Sequence, residues 1–131
     1  MSHDESYKEL LSNRKATFQY EILETFEVGI ALQGTEVKSL RQGGGSLQES
    51  FIDISKNELW LIGCSISPYS FGNIHNHEER RKRKLLAHKR EVRRIATLIQ
   101  EKGLTCIPLS LYLKKGLVKL KIAIGRGKKL H

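Results

Sequence analysis

Cysteine, proline and tryptophan are scarce in this chain, with two Cys, two Pro and one Trp among 131 residues. Cys64 and Cys106 lie far apart, each inside an apolar strand-like run. That placement fits buried thiols and argues against the disulfide framework of a small exported domain. Neither cysteine has a partner at C-x-x-C-like spacing, so no zinc centre is expected even with His75, His77 and His88 counted as further donors. Long apolar runs are missing too, which argues against a membrane helix. The start, MSHDESYKELL, lacks the basic-then-apolar order of a secretory signal. These absences together predict a cytoplasmic protein with no membrane partner. Gly43-Gly44-Gly45 has no Gly-Lys-Ser/Thr ending, which argues against a nucleotide loop. No repeat and no low-complexity linker divides the chain, and its length fits one hydrophobic core.

Acidic side chains are short in one half only. Residues 1–60 hold 10 Asp/Glu and 6 Lys/Arg, whereas residues 61–131 hold 4 Asp/Glu and 17 Lys/Arg. The net charge of +9 is therefore concentrated in the second half. A segregated positive excess of this kind attracts nucleic acid. Its densest part is Arg80–Lys102, where Val92, Ile95, Ala96 and Ile99 follow the spacing of one helical face. A helix over this stretch docks its stripe on the core and turns Arg90, Arg93 and Arg94 outward.

Elsewhere the pattern is mostly period two. Residues 1–12 read as a flexible N-terminal arm. Phe18, Tyr20, Ile22, Phe26, Val28, Ile30 and Leu32 share even positions, with Gly29 marking either a turn between two strands or a bend in one. Gly34–Arg41 reads as a short helix. Ser50–Ile54 and Leu59–Ile66 form a hairpin through Ser55-Lys56-Asn57. Gly103 caps the main helix, and the strands around Ile107–Leu113 and Val118–Ile124 turn at Lys114-Lys115-Gly116, with Lys119 and Lys121 on a basic face. Pro108 lacks an amide hydrogen and requires an edge or a bulge. The fold predicted is mainly β: a six-stranded antiparallel barrel like the oligonucleotide-binding (OB) fold, with one main helix and one or two short ones. Residues 13–126 form this single domain, and 127–131 start a basic tail.

Catalysis finds little support. His75 and His77 would have to exchange protons with an RNA hydroxyl, with Glu36 beside them, yet they sit in a polar loop where solvated or phosphate-contacting side chains are the commoner outcome. Binding is the better reading. Arg80, Arg81, Arg83, Lys84, Lys89, Arg90, Lys128 and Lys129 would engage phosphates, and about five to eight such contacts predict a log–log salt slope of order −4 to −7. Tyr69, Phe71 and Asn73 stand at the threshold of this basic stretch. They either receive an unpaired base or cover one end of the core.

Five separated motifs carry a resemblance over residues 13–131: Asn13-Arg14-Lys15-Ala16, GIALQGTEVKSLR at Gly29–Arg41, the Tyr-x-x-Gly-Asn loop at Tyr69–Asn73, RKRKLLAHKRE at Arg81–Glu91, and GKKLH at Gly127–His131. The chain resembles the SsrA-binding protein (small protein B) family of bacteria. That resemblance implies an OB-type barrel with no cofactor and no catalytic centre. Its partners would be the tRNA-like domain of transfer-messenger RNA and both ribosomal subunits, in the rescue of stalled ribosomes by trans-translation. The residues expected to bind RNA are Asn13, Lys15, Glu36, Lys38, Arg41, Tyr69, Asn73, Arg81, Arg83, Lys84, His88, Lys89, Arg90, Lys128 and Lys129. Glu36 matches the family's RNA-binding acid, which would accept from a base or ribose or orient Lys38 or Arg41. As Glu36 is part of an expected exposed block, Glu36→Ala should weaken specific RNA binding with little loss of fold. Ala87 stands where the family generally has a bulkier residue. The family continues past the Gly-Lys-Lys block with Asp-Lys-Arg and a basic tail, so a form ending at His131 is expected to bind RNA without supporting tagging. The alternative is a generic OB-type single-stranded RNA-binding or ribosome-associated module.

Overall fold

Alternating strands leave backbone groups that must pair, and in this computed structural model, which describes residues 7–71 and 75–128, they pair almost entirely antiparallel. The elements are β1 (Tyr7–Ser12), α1 (Arg14–Gln19), β2 (Tyr20–Ile30), α2 (Gly34–Arg41), β3 (Gly45–Ser46), β4 (Phe51–Ser55), β5 (Glu58–Ile62), β6 (Ser65–Ile66), β7 (Arg83–Leu86), α3 (Lys89–Ile99), β8 (Leu104–Lys114) and β9 (Leu117–Gly127). Seven strands form one sheet in the order β1-β8-β9-β2-β7-β5-β4, and β3 pairs with β6 apart from it. The chain is mainly β with few helices. No hydrogen-bonded ladder joins the edge strands β1 and β4 among the described residues, although β4 packs on β8 across the core. Leu61, Ile66, Ile95, Leu111, Leu120 and Ile122 are fully buried at its centre.

Three expectations need correction, and the two readings of Gly29 are decided between. Residues Tyr7–Ser12 are a strand, not an arm, because the edge of β8 accepts them and Leu11 drops into the core opposite Leu111. Phe18 belongs to α1 and is 72% exposed, so the alternation begins only at Tyr20. Gly29 does not divide β2, which runs unbroken to Ile30. It sits opposite Leu86 of β7, where a Cβ would come within 3.2 Å of the Leu86 Cβ, so glycine here permits the two strands to approach. The main helix spans only Lys89–Ile99, and Arg83–Leu86 is a strand between β2 and β5. Glu91 sets the helix start by accepting the His88 backbone N–H at 3.0 Å.

The turns conform to their residues. Lys56 and Asn57 both have positive φ (51° and 63°), as do Lys115 and Gly116 (52° and 80°), the pairing a two-residue hairpin loop requires. Pro108 sits where the β8–β9 register shifts and beyond the last β1 pair at Ser110, so no ladder needs its missing donor.

The alternation of β7 turns Leu85 and Arg83 inward, and Arg83 is 0% exposed. A guanidinium survives there because Glu36, also 0% exposed, meets it at 2.7 Å. Glu36 Oε1 accepts the Gln33 N–H at 2.7 Å and Arg81 Nη2 at 2.6 Å, while Oε2 accepts Arg81 Nε at 3.0 Å and Arg83 Nε at 2.7 Å. Arg83 spends its other donors on the carbonyls of Cys64 (2.9 Å), Arg81 (3.0 Å) and Glu79 (3.1 Å). Burial would raise the Glu36 carboxyl, but the hydrogen bonds from Arg81, Gln33 and Arg83 outweigh it and hold the group below the ordinary carboxylate range. The expected exposed block is thus the reverse at this position: α2 turns Glu36 into the protein.

Glu36→Ala should therefore cost stability rather than spare it. It leaves the Arg83 charge buried and unpaired, a loss of about 3–5 kcal/mol in urea unfolding. Because the folded carboxyl titrates below the unfolded one, its contribution is complete above about pH 5 and fades as pH falls through the depressed folded value. A plot of urea midpoint against pH should show a shallower acid limb in Glu36→Gln than in the wild type. Burial pushes the Cys64 and Cys106 thiols up to about 11 and about 12. Both should resist iodoacetamide at pH 8 in the folded chain and react in denaturant, as read by mass spectrometry.

Candidate nucleic-acid interface

Helix α3 sorts its residues as the apolar spacing requires: Ile95 is fully buried, Val92, Ala96 and Ile99 are half-buried, and Lys89, Arg90, Arg93 and Arg94 are exposed. Arg94 turns aside to Glu24, its Nη2 at 2.8 Å from Oε1. Lys89 and Arg93 instead line a groove with Asn57, Val92 and Ala96. That groove shares Asn57, Lys89 and Val92 with a second one, lined also by Lys84, Leu86, His88 and Lys119. The second shares Leu86 and Lys119 with a third, which reaches Arg41 of α2 past Gly29 and Leu117. The sheet explains this continuity, since Leu86 faces Gly29 on β2 and Gly29 faces Lys119 on β9 across adjacent strands. Arg93, Lys89, Lys84, Lys119 and Arg41 thus line three adjoining grooves that together form a trough, with Leu86 (54% exposed) shared by the second and third and Leu117 (61% exposed) in the third. Cations spaced along an open trough suit a polyanionic backbone, and Lys84 pairs only at the surface, with Glu58 at 2.8 Å.

Lys38, one turn before Arg41 on α2, extends the charge beyond the trough and places its Nζ 5.6 Å from the Tyr69 ring centroid. Tyr69 meets Phe71 edge to face, with centroids 5.5 Å apart and planes at 68°. Phe71 is 73% exposed.

Several expected contacts lie elsewhere. Glu36 and Arg83 are sealed in the core and present nothing to a partner. Arg81 keeps about a quarter of its side chain exposed, but its donors go to Glu36 and to the carbonyls of Ala31 (3.2 Å) and Lys82 (3.4 Å). Asn13 is buried, donating Nδ2–H to the Pro108 carbonyl at 2.8 Å, a structural bond rather than a free amide. Lys15 is exposed on α1, and Lys128 joins it there, with its backbone N–H on the Gln19 carbonyl at 2.8 Å. These two form a separate basic end. Arg90 is exposed on α3 outside the trough lining. Asn73 and Lys129 fall outside the described residues.

The histidines do not pair for proton exchange. His75 is exposed, whereas His77 is buried, its Nδ1 2.8 Å from the Thr35 hydroxyl and its Nε2 2.9 Å from the Ile66 carbonyl. A carbonyl only accepts, so Nε2 carries a proton and both ring nitrogens are occupied in holding the loop to α2. No group of three Cys, His, Asp or Glu side chains converges on a metal position among the described residues.

The sequence named Lys119 only as part of a basic face and left Leu86 unremarked, because their meeting depends on β7, β2 and β9 lying side by side. Glu27 also escaped notice. It accepts the Tyr112 hydroxyl at 2.5 Å and Lys114 Nζ at 3.3 Å. The Tyr112 bond, more than Lys114, holds its carboxyl below the ordinary range, while burial and then Glu27 push the phenol up. Nothing in its local alternation distinguishes this glutamate from its neighbours.

A family model described as SmpB protein matches residues 10–131. The SsrA-binding protein of Protochlamydia amoebophila (strain UWE25) is 61% identical over 125 residues, covering 95% of this chain and 82% of the relative. That of Chlamydia muridarum (strain MoPn / Nigg) is 58% identical over 126 residues, covering 96% and 83%. A solved structure, "tmRNA-SmpB: a journey to the center of the bacterial ribosome", superposes with a TM-score of 0.77 at 47% identity, covering 95% of this chain and 87% of that one. No helix among the described residues is long and apolar enough to cross a membrane. With a family model spanning nearly the whole chain and relatives well above half identical, the chain belongs to the SmpB protein family.

Proposed function

We propose that this protein binds the tRNA-like domain of transfer-messenger RNA and brings it to stalled ribosomes, acting as a shaped adaptor that makes and breaks no covalent bond. The continuous trough from Arg93 to Arg41 is the observation that carries this reading into the chain's own residues. A folded RNA corner has paired phosphate rails rather than a flexible thread, and a fixed row of cations over a sheet can match such rails without first ordering itself. Lysines and arginines of this kind position the ligand, leaving selection to shape and to any exposed base. The sheet is read as an OB-type barrel in which the packing of β4 on β8 takes the place of a closing ladder. Lys38 and Tyr69 continue the trough, and Glu36 acts from inside through the strand it stabilises. The basic end at Lys15 and Lys128 leaves a second surface for ribosomal RNA.

Five trough cations predict a log–log salt slope of about −3.5 to −4.5 for the tRNA-like domain. Changing Lys84, Lys89 and Lys119 together to Glu should flatten that slope by about 2–3 and weaken binding at least a hundredfold in 100 mM salt. Changing Lys8, Lys102 and Lys115 instead, three exposed lysines outside the trough, should have far less effect. Equal losses in the two triple variants would show that only total charge matters. Equal competition by an unstructured oligonucleotide at fixed salt would favour a generic single-strand binder.

A further inference from the structure

We propose that Lys38, Tyr69 and Phe71 form a seat for one unstacked RNA base, and that Asn76 is the positioning residue that holds the seat in shape. This rests on the RNA-binding reading above and names what its aromatic end receives. Two aromatics in a loop ordinarily cover core, but neither Tyr69 nor Phe71 packs against the main core cluster. Phe71 leaves 73% of its surface in water, forgoing the gain its burial would give. Its edge-to-face contact with Tyr69 fixes the ring without covering it. A base stacking on such a ring needs no particular hydrogen-bonding edge, because every base has a π-face. Lys38, over Tyr69 and one helical turn from Arg41, supplies the charge for the phosphate attached to that base. The seat therefore adds a cation one helical turn from the Arg41 end of the trough.

What makes this a built feature is how the loop is fastened. The Asn76 side chain copies a strand partner. Its Oδ1 accepts the Tyr69 N–H at 3.0 Å, and its Nδ2 donates to the Tyr69 carbonyl at 2.6 Å. The same Oδ1 accepts the His77 N–H at 3.2 Å. His77 in turn is fixed to Thr35 of α2 and to the Ile66 carbonyl. Tyr69 and Lys38 are thereby referred to one helix, so the ring and the cation are already together before any ligand arrives. Two of the three hydrogen bonds of the Asn76 amide serve the Tyr69 backbone beside the exposed rings.

The test uses the full chain and tRNA-like-domain RNA in which each unpaired loop nucleotide is replaced in turn by an abasic one. One position should lose about ten- to a hundredfold in affinity for the wild-type protein. Phe71→Ala and Asn76→Ala should lose a similar factor on intact RNA and become indifferent to that one abasic site, while their salt slopes stay at the wild-type value. Phe71→Ala changes an exposed ring and keeps the test clear of folding effects. Tight wild-type binding with no sensitive position, or abasic and Phe71→Ala losses that simply multiply, would overturn the seat and leave the adaptor reading standing. Failure of the wild-type chain to bind the tRNA-like domain would remove both.

Discussion

A carboxylate with no solvent exposure holds this molecule in register. Glu36 satisfies the Gln33 backbone N–H at the start of its own helix and the guanidinium groups of Arg81 and Arg83, brought in from 45 and 47 residues along the chain. Removing water from three charges is costly, and only dense hydrogen bonding offsets it. Here the bonds reach α2, β7 and the segment before it, while Arg83 also ties down the carbonyls of Cys64 and Glu79. An apolar cluster would tolerate sliding among these pieces. A fork of N–H donors around two oxygens admits one arrangement, which is the sense in which a buried ion network confers specificity rather than bulk stability.

The row of exposed cations inherits that arrangement. With Arg83 and Leu85 drawn inward, Lys84 and Leu86 must face out, because neighbours on a strand point to opposite sides. Gly29 lets β2 approach Leu86 closely, and β9 brings Lys119 into the same row. Helix α3, started by Glu91 and seated by Ile95, then lines up Lys89 and Arg93 with them. The helix that buries Glu36 also carries Lys38 and Arg41 outward, so interior charge and exterior charge are two faces of one short helix. The surface charge pattern of this chain has a geometry set from within.

Much of this was legible in the residues. The apolar stripe of α3, the hairpin turns at Lys56-Asn57 and Lys115-Gly116, the buried cysteines and the bulge at Pro108 all follow from local rules about periodicity, positive φ and missing donors. Other features run against their local pattern for equally physical reasons. Arg80–Lys84 looks helical because its charges have no period of their own, and Tyr7–Ser12 looks like an arm because nothing nearby offers it a partner. The mismatch at Glu36 is sharpest: exposure is the usual state of a glutamate, and its two arginines lie 45 and 47 residues away.

By itself the sequence determined the class of structure, the sign and location of the excess charge, and the family, since these reside in composition, short-range spacing and motif identity. Tertiary structure alone decided which charges are exposed and which are sealed inside. Periodicity says that a side chain faces one way or the other, but whether that side is water or core depends on which distant strand is laid across it. A charge can be buried only where long-range pairing has delivered its counter-charge.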